Sequence, residues 1–316
     1  MNKWQKFRTV AGITGAACAI THIINRIIFS ASVSMQVTDT QERITYKWKF
    51  GDISYTKKGN KSPILLIHDL NSISSSYEWS NVRDELAKTH TVYAIDLLGC
   101  GYSTKPSITY TAYLYVQLIE DFIKNVIGRR TDVVVTGDSC PAVIMACYNN
   151  SALFNNIVLV NPQSLKDCSQ IPGKRKNIFK ILLNTSLIGN SIYNMHVSKK
   201  SIKELCGTKL FYKIGGVPNS TINALHEIAH LGGFSSRYLF ASARCHYTCA
   251  NINNALASIN NNIFIIAGDN AVNMKNIIRE YRAVNPIIES AVIPRSKHLP
   301  QFEHPVRFAR QLGIFI

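Results

Sequence analysis

Acidic residues are scarce in this chain of 316 residues: 19 Asp and Glu stand against 35 Lys and Arg, a formal charge of +16. No period repeats and no low-complexity tract appears, which excludes solenoids and disordered arrays. Basic clusters are short, Lys174-Arg175-Lys176 and Lys199-Lys200 among them. No aromatic-plus-basic module accompanies them, so nucleic acid is not the expected partner. The charge then reads as a solvated basic surface or one that faces a membrane. A disulfide framework is also lacking, since eight cysteines are scattered through a chain large enough to fold without staples. Cys245 and Cys249 flank His246, but no second pair stands at zinc-site spacing.

The amino-terminal segment, residues 1–35, is apolar behind a basic start. Lys3, Lys6 and Arg8 precede the run Thr9 to Thr21, and Ile23 to Ala31 continues it. Three readings stand: a signal peptide, a retained anchor and an amphipathic helix. The expected location is the membrane, or outside the cell if the leader is cleaved.

From Arg43 onward, strand-like and helix-like stretches alternate. Arg43 to Phe50 and Ile53 to Lys57 read as a hairpin around Gly51-Asp52. Pro63 to Ile67 is a continuous apolar run, as a strand buried on both faces requires. Thr91 to Ile95, Asp132 to Val135, Ile157 to Val160, Ile263 to Ile266 and Ile287 to Ile293 share that character. Helical patterns lie between them, so the expected class is α/β with a mostly parallel central sheet covered on both faces. Residues 40–162 and 251–316 form this core. Residues 163–250 break the alternation and are expected to form a helical cap inserted after the sixth strand.

Functional residues of such sheets gather at the carboxyl ends of the strands. After the strand ending at Val135 comes Gly137-Asp138-Ser139-Cys140-Pro141 and then a helical pattern. A nucleophile elbow needs this strand–turn–helix, with small residues around an exposed serine. Pro141 stands where a second glycine is usual, and proline is tolerated in a first helical turn. His68-Asp69-Leu70 follows the strand ending at Ile67, and Asp96-Leu97-Leu98-Gly99-Cys100-Gly101 follows the next one. Lys297-His298-Leu299-Pro300 follows the last strand.

Together these motifs resemble the α/β-hydrolase superfamily, in the style of its capped esterase, peptidase and epoxide-hydrolase branch. The resemblance runs from about Arg43 to the carboxyl terminus. It implies an α/β-hydrolase fold in which Ser139 attacks an ester, or an amide, and an acyl-enzyme forms. His298 would shuttle the proton and Asp269 orient it, although Asp269 stands about two positions early. The amides of Cys140 and Leu70 would hold the oxyanion, with His68 and Asp69 at the substrate. Asp69 replaces a glycine there, and its carboxylate must point away from the oxyanion or be paired. Asn161 stands where some relatives place the acid. No metal or organic cofactor is implied. The expected substrate is a small ester with an apolar group, from the aromatic residues Phe211, Tyr212, Phe234, Tyr238 and Phe240 of the cap.

Two other readings stay open. Pro141, Asp69, Lys297 and the early acid favour a catalytically impaired hydrolase-fold protein that binds a ligand or partner. His226-Glu227-Ile228-Ala229-His230 spells a zinc-peptidase motif, for which no third ligand is evident.

Overall fold

The computed structural model describes residues 2–34, 38, 42–213, 215 and 217–316. An eight-stranded sheet forms its centre, in the order β1-β2-β4-β3-β5-β6-β7-β8. These are β1 Ile44–Trp48, β2 Gly51–Lys58, β3 Ser62–Ile67, β4 His90–Ile95, β5 Thr131–Thr136, β6 Phe154–Val160, β7 Ile263–Gly268 and β8 Glu289–Ile293. β1 pairs antiparallel with β2, and β2 with β4; every other pairing is parallel. The expected α/β class and mostly parallel sheet are what forms. The hairpin differs by two residues, because Trp48 pairs with Gly51 and the turn falls on Lys49-Phe50.

The apolar runs are buried on both faces because alternate side chains point to opposite sides. Leu65, Ile67, Val133 and Val135 join one core with Leu118, Ile119 and Phe122 of the helix Ala112–Phe122. Ile64, Leu66, Val92 and Val134 join the other, with Trp79, Phe308 and Leu312. Each fully buried aliphatic side chain contributes on the order of 1.5–3 kcal/mol.

Between β6 and β7 the described residues are helical, with no strand. They carry a core of their own, built on Leu183, Tyr193, Val197, Leu225 and Phe240. Phe211 and Phe240, expected to line a ligand site, are buried in that core. Tyr212, Phe234 and Tyr238, the other three cap aromatics, keep part of their surface open.

Lys3–Ser32 is one helix, and among the described residues it alone is long and apolar enough to cross a membrane. Its first two-thirds stand exposed, and its last turns dock on the insertion. Phe29 stacks on Tyr193 and meets His230 and Phe234 edge-on. Asn25 exchanges hydrogen bonds with Ser191 and Asn194, at 3.1 and 2.9 Å. The polar residue within the apolar run is thus satisfied by the insertion.

Phe29→Ala should release this docking while sparing the sheet. Truncating a buried Phe costs about 3–5 kcal/mol, here confined to the helix–insertion contact. Faster trypsin cleavage after Arg26 and faster hydrogen exchange over residues 22–32 are expected, with the main unfolding transition unchanged.

Candidate active site

β3, β5 and β8 end at one place and bring His68, Asp69, Gly137, Ser139 and His298 together. Gly137 makes the turn between β5 and the helix Cys140–Asn149, at φ +56°. A left-handed backbone is strained for any residue with a Cβ, and glycine takes it without cost. The apex of the elbow is therefore Gly137. Ser139 lies two residues further on, already at helical angles (φ −81°, ψ −17°).

This shift relocates the groups expected from the sequence. Ser139 is 1% exposed, and its hydroxyl donates to the His68 carbonyl at 2.6 Å. The Cys140 amide donates to Gly137 O inside the first turn, so it does not face the site. The amide that follows the apex is that of Asp138, and it points inward together with the Leu70 amide.

Both inward amides are occupied. Asp69 Oδ1 accepts from Asp138 N at 2.7 Å and from Leu70 N at 2.8 Å. Asp69 Oδ2 accepts from Asn71 Nδ2 and pairs with His298 Nε2, both at 2.9 Å. A Cβ on Gly137 would stand 2.4 Å from Asp69 Oδ1. The Asp69 carboxylate thus fills the space that an apex side chain would enter.

Electrostatics follow from that arrangement. Burial pushes the Asp69 pKa up, but the His298 bond and charge and the two amides outweigh it and hold it below the usual carboxylate range. Burial likewise pulls His298 down, and the Asp69 bond and charge outweigh it, so its pKa is raised. Glu78, which accepts the Asp69 amide at 3.0 Å, is pushed up to about 8 by burial and then by the Asp69 charge. Asp138 is pushed up to about 7 by desolvation and then by the same charge. Asp69 keeps its charge where its neighbours are pushed toward their neutral forms. Asp69 and His298 each favour the charged form of the other.

Asp269 stands elsewhere. It is exposed, and its carboxylate accepts from Ser296 N at 3.1 Å, closing the loops after β7 and β8. The partner of His298 is Asp69, from the loop after β3, at 2.9 Å from its Nε2. His68 is fully buried: Leu97 N donates to its Nε2 at 2.9 Å, and Nδ1 faces Asp69 O at 2.6 Å. Both ring nitrogens are spent on the backbone, so His68 ties β3 to β4 and offers no face to a substrate.

Asn161 holds the His298 loop by its backbone. Its Nδ2 donates to the Lys297 and His298 carbonyls, and Gly268 N donates to its Oδ1. Lys297 turns away from the imidazole, donating to Gly207 O at 2.8 Å. Leu299 N donates to Leu210 O, and Glu303 accepts from both Tyr212 N and Lys297 N. The loop carrying His298 is thereby stitched to the insertion.

The zinc-peptidase spelling has a packing role. His226 and His230 lie 4.4 Å apart with their rings tilted by 42°, His230 meets Phe29, and Glu227 accepts from Thr38. Among the described residues no group of three or more His, Cys, Asp or Glu is placed to hold a metal ion. Asn71 and Glu78 were not picked out by the sequence, and Gly137 was read as a flank of the elbow and not as its apex. Gly137 carried a usable signal, as the glycine directly after a buried strand.

The profile described as the alpha/beta hydrolase family matches residues 64–311. Among curated proteins, a 2-hydroxy-6-oxo-6-(2'-aminophenyl)hexa-2,4-dienoic acid hydrolase of Metapseudomonas resinovorans is 33% identical over 116 residues. That stretch is 35% of this chain and only 39% of the relative. Among solved structures, a serine hydrolase involved in carbazole degradation superposes with TM-score 0.71 at 18% identity, over 87% of this chain and 98% of its own. A membrane phospholipase A superposes with TM-score 0.70 at 16% identity, over 98% of this chain and 97% of its own. At such identities the structural likeness is one of fold.

Two outcomes test the ion pair. Asp69→Ala leaves two buried amides and the His298 Nε2 without their acceptor, and should cost roughly 3–5 kcal/mol in denaturant unfolding. Glu78→Gln tests the pH dependence. Glu78 is neutral in the fold and ionised in the unfolded chain between pH 4.5 and about 8. The folded state then holds the extra proton, so stability falls as pH rises through that window. The Gln variant lacks this loss: it should melt close to the parent at pH 4.5 and several degrees above it at pH 8.5.

Proposed function

Because this chain belongs to the alpha/beta hydrolase family, we propose that it is a member which binds a small molecule and does not run the serine acyl-enzyme reaction. One observation carries this reading: the elbow apex is a glycine, and the space before it is closed by Asp69. Acyl transfer through an elbow needs a nucleophile at the apex, two free oxyanion donors and a histidine able to take a proton. Here the apex has no side chain, both donors already hold a carboxylate, and the Nε2 of His298 is already bonded to Asp69. Losing an oxyanion donor alone costs about 3–4 kcal/mol of transition-state stabilisation.

Ester hydrolysis through Ser139 is the second reading. What favours it is His298, which sits after the last strand with its Nε2 turned to the elbow. In that reading Asp69 leaves the amides, Ser139 leaves the His68 carbonyl, and the substrate oxygen enters. The names of the relatives, hydrolases throughout those described above, favour it as well.

A fluorophosphonate probe separates the two. The purified parent chain should remain unlabelled, and Asp69→Gly with Gly137→Ser should gain labelling by opening the space and filling it with a hydroxyl. Labelling of the parent that Ser139→Ala abolishes would overturn the binding reading and establish the hydrolase.

A further inference from the structure

The helix Lys174–Asn184 packs on the helix Ile188–His196, which in turn holds Asn25 of the amino-terminal helix. Its inner side is anchored by the buried Leu183, and Lys180 donates to Thr109. Its outer side is apolar without cover: Ile178 and Ile181 are each 69% exposed, and Ile171 just before the helix is 81% exposed. Ile178, Ile181 and Leu182 follow the three-and-four spacing of one helix face. Such a face is costly in water and marks an interaction site.

The charge around it has one sign. From Cys168 to Lys203 there is no Asp or Glu, while Lys174, Arg175, Lys176, Lys180, Lys199, Lys200 and Lys203 fall in that stretch. Lys174, Arg175, Lys199 and Lys200 are exposed. An apolar helix face rimmed by lysine and arginine suits the boundary between acyl chains and anionic headgroups. Position says the same. The exposed part of the amino-terminal helix, Lys3 to Ile20, is about 27 Å long at 1.5 Å per residue, close to the hydrocarbon thickness of a bilayer. Its docked end begins at His22, against Phe234 of the insertion. A bilayer entered by the first part of this helix therefore has its surface beside the insertion.

We infer that the Ile171–Leu182 face of the insertion is a second membrane contact, which beds into an anionic bilayer surface next to the amino-terminal helix. The occupant is lipid, with phosphate-bearing headgroups meeting Lys174 and Arg175 and acyl chains meeting Ile178 and Ile181. This inference stands apart from the reading of the Asp69 centre, since none of its residues touches that centre.

The test uses the full chain reconstituted in vesicles, with a tryptophan probe and lipids brominated near the headgroup end of the acyl chain. Ile181→Trp should be quenched, over the parent background, at least twice as strongly in phosphatidylglycerol-containing vesicles as in pure phosphatidylcholine. Ile287→Trp, before the amino end of β8 and so at the far end of the sheet, should not be quenched. Adding Lys174→Glu and Arg175→Glu should lower the Ile181→Trp signal to its neutral-lipid value. Quenching at position 181 no greater than at position 287 would overturn the inference, as would equal quenching in both lipids. Loss of the signal on dilution of protein in lipid would mean that a second copy covers the face, and would overturn it too.

Discussion

The Asp69 carboxylate and the groups that hold it determine the character of this centre. Two backbone amides, one side-chain amide and one imidazole converge on two oxygens. Those donors come from the ends of three strands, so the carboxylate fastens the carboxyl edge of the sheet at its middle. Charge is partitioned by the same contact. Asp69 favours its ionised form because it has the donors, Glu78 and Asp138 are driven toward neutrality, and the protonated form of His298 is favoured. An array of donors that would serve a passing oxyanion is spent on a permanent one.

The fold was legible in the sequence because its cause is local and repetitive. Pro63-Ile64-Leu65-Leu66-Ile67 and Val133-Val134-Val135 can satisfy both faces of their strands only in a sheet covered on both sides. The ends of the strands located the site for the same reason, which is why His298, Asp69 and Leu70 were found. What the spelling of Gly137-Asp138-Ser139-Cys140-Pro141 does not carry is which residue takes the left-handed angle. That depends on where β5 lets go, and Thr136 is still paired with Val160. A shift of two residues moved the apex from Ser139 to Gly137 and the inward amide from Cys140 to Asp138. Asp269 was chosen by its distance from a strand, whereas the partner of His298 was decided by where the imidazole points. The requirement that Asp69 be paired was stated from chemistry, and its partner needed three dimensions.

The amino-terminal helix and the insertion form one unit although 166 and 169 residues separate Asn25 from its partners Ser191 and Asn194. The histidines of the zinc-like spelling belong to this joint, where His230 meets Phe29. Burial lowers the His226 pKa to about 4 and lowers that of His230 as well, which favours neutral rings that pack as aromatics. Basic charge is concentrated on this side as well. The excess of lysine and arginine that opened the sequence reading has, in part, a place.

The stitches between the His298 loop and the insertion have a mechanical meaning. Lys297 reaches Gly207, Leu299 reaches Leu210, and Glu303 reaches Tyr212. A lid hinged at its two chain ends would lift and leave the histidine behind. The insertion here is sewn to the stretch of chain that carries the histidine, so it cannot be displaced without breaking these three bonds or carrying the His298 loop along. The seating of the insertion and the seating of the imidazole are thereby tied together, through bonds that bypass the chain ends of the insertion.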